Sequence, residues 1–285
     1  MLSYRHAFHA GNHADVLKHT VLCLILESLN RKEKPYAVID THAGAGIYSL
    51  SDSRLLKTGE AHEGVERLLA EDAAGRIPSD VGAVISAYLS LEKEYAAHGQ
   101  YAGSPELSAR MLRPHDSLIL MELHSTEIKI LTENARGDFS GSAALAMAHI
   151  HHRNGFEGMA ALVPPDARRG LVLCDPSYET GNDYADAAGS ICAALHKWPQ
   201  GIYALWYPLL AHRRSDCAMM RQRIICAAQS LRPSMEIADI SLAVRQEDAG
   251  NAPRLLGSGM LVLNSPWKLR EKMDIVLPYY QKLYS

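Results

Sequence analysis

No stretch of this sequence comes near the ~20 consecutive apolar residues that cross a bilayer, so a membrane-spanning role is not expected. Its first residues, Met1-Leu2-Ser3-Tyr4-Arg5-His6, hold no hydrophobic signal core, which points away from export. Cysteine is sparse and unpaired in pattern. The five (Cys23, Cys174, Cys192, Cys217 and Cys226) are odd in number, scattered, and without a C-x-x-C spacing. They read as reduced, mostly buried thiols of a cytoplasmic protein. An excess of positive charge is also missing. A net charge of −3 argues against a chain that coats nucleic acid nonspecifically, but it is compatible with a local basic face, and fourteen histidines add charge below neutral pH. There are no internal repeats and no low-complexity linkers. What is present is a 47% apolar composition over 285 residues, enough for one large α/β domain or two smaller ones.

The most informative stretch is Leu171-Val172-Leu173-Cys174-Asp175-Pro176-Ser177-Tyr178. An apolar run of strand length ends in an acid, a proline, a small residue and a tyrosine. Such a strand is buried, and its end rises into the place where α/β proteins bind ligands. Asp175 offers a carboxylate that only accepts, the Pro176 carbonyl is a second acceptor, and Tyr178 offers a flat π-face. A planar group with an exocyclic amine, such as a nucleobase, fits that set. The same residues also describe an ordinary strand followed by a type I turn.

Other stretches frame this one. Asn12 and Asp15 suit a helix start, and Leu17, Val21, Leu24 and Ile25 continue a helix to about Leu29. The leader before it is rich in histidine and aromatic residues; it is either a solvated terminus or a docked segment. Ala37-Val38-Ile39-Asp40 is a short strand, followed at once by Thr41-His42-Ala43-Gly44-Ala45-Gly46, where glycine lets backbone approach a ligand. Residues 51–103 break the strand rhythm. Val81, Ile85, Tyr88 and Leu89 carry a helical insertion there, readable as inert elaboration or as a lid and RNA-contacting arm. Ser104-Pro105 opens a helix, and Leu118–Glu122 is a strand whose terminal acid suits ribose hydroxyls. A third apolar segment at Ala143–Ile150, then strands at 201–208, 237–244 and 261–267, give about seven strands with interleaved helices. The histidines at 149, 151 and 152 lack a second ligand group of matching spacing, so no metal is expected.

Together the stretches Tyr4–His6, Phe8–Thr20, Asp40–Gly46, Gly103–Pro105, Glu122–His124, Tyr203–Pro208 and Ser258–Met260 resemble the ribosomal RNA large subunit methyltransferase J family, adenine-N6 methyltransferases of 23S rRNA. The resemblance runs through nearly the whole chain. It implies a Rossmann-like class I methyltransferase with a mostly parallel sheet, made of residues 1–50 and 104–285, and a small helical subdomain at 51–103. It implies S-adenosylmethionine as donor, held by Lys18, His19, His42, Gly44, Ser104, Glu122, Asn154, Gly155 and Asp175. It places Tyr4, His6, Lys18, Asp175, Pro176 and Tyr178 in catalysis or target handling. The implied partner is 23S rRNA before ribosome assembly is complete, met by a cytoplasmic monomer. Two positions depart from the family pattern: Ser177 replaces the second proline of Asp-Pro-Pro-Tyr, and Asn154 stands where an acid is usual. An adenine-N6 methyltransferase of DNA, or a non-catalytic protein that binds external DNA for use as a nutrient, are the competing readings.

Overall fold

β1, Tyr36–Asp40, lies at the centre of the main sheet with all five residues buried. A run of apolar residues without alternation needs cover on both faces, and helices provide it. In this computed structural model, which describes residues 9–136, 147–245 and 255–285, β1 pairs in parallel with β4 (Ser117–Glu122) and with β6 (Arg169–Cys174). β5 (His149–His152) extends the sheet beyond β4, and β7 (Ile202–Leu210) extends it beyond β6. β9 (Leu255–Leu263) and β8 (Ile237–Ala243) complete the order β5-β4-β1-β6-β7-β9-β8, in which β9 alone runs against the rest. The chain moves outward from β1 to β4 and β5, then returns to β6 on the other side. That reversal between β1 and β6 is a topological switch point, and ligands of open α/β sheets bind beyond the strand ends there. The register pairs Asp40 with Leu173, which sets Asp175 just past the end of the neighbouring strand.

α1 (His13–Asn30) begins where Asn12 accepts from the backbone N–H groups of Ala14 and Asp15. It is buried almost all round, because it lies between the sheet and the helical segment that follows β1. That segment, expected at 51–103, is bracketed by two strands absent from the sequence reading, β2 (Ile47–Ser49) and β3 (Gln100–Ala102), paired antiparallel. Three residues are too few to show an alternation. Between them come α2 (Ser53–Thr58), a π turn (His62–Glu66), α3 (Arg67–Ala73) and α4 (Ser79–Ala96). Leu68, Val81, Ile85, Tyr88 and Leu89 share one apolar core with α1. The π turn closes on the start of α1: Val65 N–H donates to the Gly11 carbonyl at 2.8 Å, and a Cβ on Gly64 would stand 2.1 Å from that oxygen.

α5 (Ser104–Met111) opens with Pro105 in its first turn, as expected. α6 (Glu127–Arg136), α7 (Gly155–Leu162), α8 (Asn182–Lys197), α9 (Arg214–Leu231) and α10 (Leu269–Tyr284) follow. Two strand expectations need correction. The third strand is His149–His152 rather than a segment ending at Ile150; as a half-exposed edge strand it does not require an apolar run. The last strand is Leu255–Leu263, and Asn264–Trp267 form the turn after it. Tyr4 and His6 lie outside the described residues, as does 137–146. Among the described residues no helix is long and apolar enough to cross a membrane.

Candidate active site and donor pocket

A cavity of about 620 Å³ opens beyond the C-terminal ends of β1, β4, β6 and β7. His42 and Gly44, after β1, and Asp175 to Tyr178, after β6, line it together with Glu122, Asn154 and Gly155 from beyond β4 and β5. The acid of the Asp-Pro-Ser-Tyr stretch and the glycine turn therefore share one space, as the switch-point topology requires.

At the acid end, Lys18 holds Asp175. Its Nζ donates to Asp175 Oδ2 and lies 2.7 Å from Asp15 Oδ1, with Lys18 and Asp15 almost fully buried. Burial alone would drive this ammonium toward neutrality, but the Asp15 and Asp175 carboxylates hold it above the usual lysine range. Asp15 Oδ2 also accepts from Gly11 N–H at 2.9 Å. A continuous polar path thus runs from the turn under the π turn, through Asp15 and Lys18, to the strand-end acid. Asp15 was legible only as a helix-start carboxylate. Its partner four residues earlier is set by the Gly11 turn, whose φ is +78°.

Tyr178 is less open than a free stacking platform. Its φ of +52° turns the ring inward, its hydroxyl donates to the Trp206 carbonyl at 2.8 Å, and its ring centroid lies 4.5 Å from that of Tyr184. Tyr178 still lines the cavity, with 8% of its surface exposed. Of the two adjacent aromatics on β7, Trp206 lines the cavity. Tyr207 is core, its hydroxyl donating to Asp239 Oδ1 at 2.5 Å.

At the opposite end, Gly44 has φ +61°, and its N–H donates to Glu122 Oε2 at 2.8 Å. Glu122 Oε1 accepts from His124 N–H at 2.6 Å. The acid is thereby locked beside the glycine turn, with lone pairs to spare for hydroxyls. The Thr41 hydroxyl donates to the Leu173 carbonyl at 3.0 Å and lies 2.8 Å from His42 Nδ1. This leaves His42 Nε2 as an acceptor, and burial keeps the imidazole neutral by lowering its pKa. His19 is buried under the cavity, its Nδ1 2.7 Å from the Tyr101 hydroxyl. Asn154, standing where an acid is usual, turns its oxygen to the helix start. Oδ1 caps α7, accepting from Phe156 N–H at 2.8 Å, so the amide nitrogen is the group left for a ligand. Gly155 fits against the glycine turn so closely that a Cβ would lie 2.0 Å from the Thr41 carbonyl oxygen. Gly155→Ala is therefore expected to destabilise the fold by about 1–3 kcal/mol and to weaken S-adenosylmethionine binding at least tenfold by calorimetry. Unchanged affinity would contradict the close approach.

Asp40, the acid before His42, was not singled out and proves central. It is fully buried, accepts from the Ser104 hydroxyl at 2.6 Å and receives His42 N–H at 3.2 Å. Burial pushes its carboxyl from 3.8 up to about 6, against the pull of those two bonds. A carboxyl protonated more readily in the folded state loses stability as pH rises from about 4 through 6. Asp40→Asn should therefore stabilise the protein by up to about 3 kcal/mol more at pH 7.5 than at pH 4. Denaturant melts at both pH values check this; a pH-independent effect would contradict it.

The comparisons with known proteins agree with one another. A family model described as ribosomal RNA large subunit methyltransferase D, RlmJ, matches residues 33–284. The chain belongs to that family. Ribosomal RNA large subunit methyltransferase J of Escherichia coli (strain K12) is 40% identical over 284 residues, spanning 98% of this chain and 92% of its own. The protein of the same name from Haemophilus influenzae is 39% identical, spanning 99% and 94%. A crystal structure of a Legionella pneumophila protein superposes with a TM-score of 0.81 at 28% identity, covering 97% of this chain and 94% of that one.

The family's methyl donor is S-adenosylmethionine, and the residues present fit it. A Cβ on Gly44 would meet the Tyr48 hydroxyl at 2.4 Å, so the turn stays bare backbone. Glu122 stands beside that turn with carboxylate oxygens for a ribose, and Gly155 lets the α7 tip close on the same wall. Among the charged side chains of the lining, carboxylates outnumber lysine and arginine, which suits a cationic sulfonium.

Proposed function

We propose that this chain transfers a methyl group from S-adenosylmethionine to the exocyclic N6 amine of an adenine in 23S rRNA. The observation that carries the reading is that Asp175 and Pro176 line the same cavity as the Gly44 turn. The names of its relatives support ribosomal RNA of the large subunit as the substrate class. When bound, the donor supplies a methyl group on an excellent leaving group. The remaining work is positioning, for which effective molarity is the relevant scale.

An adenine amine is a weak nucleophile because its lone pair is delocalised into the ring. Accepting one amine hydrogen at the Asp175 carboxylate and the other at the Pro176 carbonyl favours a more tetrahedral nitrogen, whose lone pair then points at the methyl. Lys18 fixes the orientation of Asp175 while the other carboxylate oxygen meets the amine. The rigid Tyr178 ring stacks on the flipped base, a contact worth ~1–3 kcal/mol. Ser177 in place of a second proline leaves the Pro176 carbonyl unchanged, and the left-handed Tyr178 backbone, anchored through Trp206, supplies the loop stiffness.

We place the reaction in the cytoplasm, on free 23S rRNA before assembly is complete, by a monomer. Transfer of labelled methyl groups tests this. Naked 23S rRNA should accept them, whereas assembled large subunits and duplex DNA should accept few. Preference for duplex DNA would favour a DNA methyltransferase, and failure to bind S-adenosylmethionine by calorimetry would favour a non-catalytic nucleic-acid-binding protein.

A further inference from the structure

Acids crowd the cavity. Glu122, Glu127, Asp183 and Asp186 line it besides Asp15 and Asp175, whereas Lys18 and Arg245 are the lysine and arginine side chains described there. Lys18 is committed to two carboxylates. Such an interior suits a cationic donor and a neutral base, but it repels a phosphate backbone. A polyanionic substrate must therefore be gripped at the rim of the cavity while one base enters.

The rim next to β7 offers that grip. β7 runs through Trp206 and Pro208 to Leu210, all lining the cavity, and continues directly into Ala211, His212, Arg213 and Arg214. Leu210 pairs with Leu255, and the carbonyl of the next residue, Leu256, accepts from Val244 and Arg245 N–H at 2.8 and 3.1 Å. Arg245 thus emerges two strands away at the same edge, about 10 Å from β7 by ordinary strand spacing. His212, Arg214 and Arg245 are exposed. Arg213 pairs with Asp216 at 3.0 Å and Arg245 with Glu63 at 3.4 Å, each across partly or largely exposed side chains. Surface pairs of this kind contribute at most about 1 kcal/mol, so a phosphate can replace the carboxylate. His212, Arg213 and Arg214 gather at the positive end of α9, which has no side-chain cap and where cations are unfavourable.

We propose that His212, Arg213, Arg214 and Arg245 form a phosphate-binding rail along the β7–β8 edge. The rail holds the single-stranded RNA flanking the target adenine while the base alone passes between Pro176 and Trp206. This rests on the reading of the chain as an RNA methyltransferase.

The test is the salt dependence of binding to a short single-stranded RNA of mixed sequence, measured beside the KM for 23S rRNA. Each lost phosphate contact lowers the slope of log K against log salt by about 0.7. Arg213→Gln/Arg214→Gln should lower it by about 1.4, two contacts at that value, and Arg245→Gln by about 0.7. The KM for rRNA should rise in both, with S-adenosylmethionine binding unmoved. Arg213→Lys/Arg214→Lys, which keeps the charge, should keep the slope. Glutamine variants with the wild-type slope and KM would overturn the rail, as would a lysine variant that loses as much as the glutamine one. A wild-type protein that methylates no RNA would instead overturn the function on which the rail rests.

Discussion

Asp175→Ala is expected to lower methyl transfer at least 100-fold, a loss of about 3 kcal/mol of transition-state stabilisation, while S-adenosylmethionine affinity changes only a few-fold. The two effects separate because, in the proposed reaction, Asp175 meets the base, whereas Glu122, the Gly44 turn and Gly155 meet the donor. Folding should survive the change. Lys18, which loses one partner, keeps the Asp15 carboxylate at 2.7 Å, so no buried charge is orphaned. Single-turnover methyl transfer beside calorimetry with the donor reads both halves. Turnover retained within a few-fold of wild type would remove Asp175 from the reaction.

Lys18→Met should do more damage, and of a different kind. It removes the cation between two carboxylates and takes its counter-ion from Asp15, buried at 4% side-chain exposure, which still accepts from Gly11 N–H. Breaking a buried ion pair from one side costs about 3–5 kcal/mol, so the denaturant midpoint should fall much further than in Asp175→Ala, and activity should vanish with it. The pairing Lys18→Met/Asp15→Asn separates structure from catalysis. With the buried charge gone, stability should largely return, but activity should not, because Asp175 is still unanchored. A double variant that recovers both would make Lys18 a structural residue alone.

Much of the site was legible because its parts are local. The apolar run before Asp175, the glycine turn after Asp40, the Asn12 cap and the Ser104-Pro105 helix start are each short patterns with a single physical meaning, and each appears where those patterns place it. The resemblance supplied what spacing does not, namely that Lys18 belongs with a residue far along the chain. The remainder depended on tertiary contacts. Asp40 reads as an ordinary motif acid until its complete burial is seen, and Asp15 as a helix-start acid until Gly11 and Lys18 close around it. Asn154 is an ambiguous amide until its oxygen is found capping α7. β2 and β3 are too short for periodicity, and β5 is too exposed to need apolar residues. Tyr178 is inward because of a left-handed backbone that no neighbouring glycine announces.

The most direct measurement is mass spectrometry of nucleosides digested from naked 23S rRNA after incubation with S-adenosylmethionine and either the wild-type protein or Asp175→Ala. An adenine amine gripped by the Asp175 carboxylate and the Pro176 carbonyl should yield N6-methyladenosine with the wild type and none above background with the variant. Methyl groups on a ribose, a pyrimidine or a ring nitrogen, or equal N6-methyladenosine from both proteins, would contradict it.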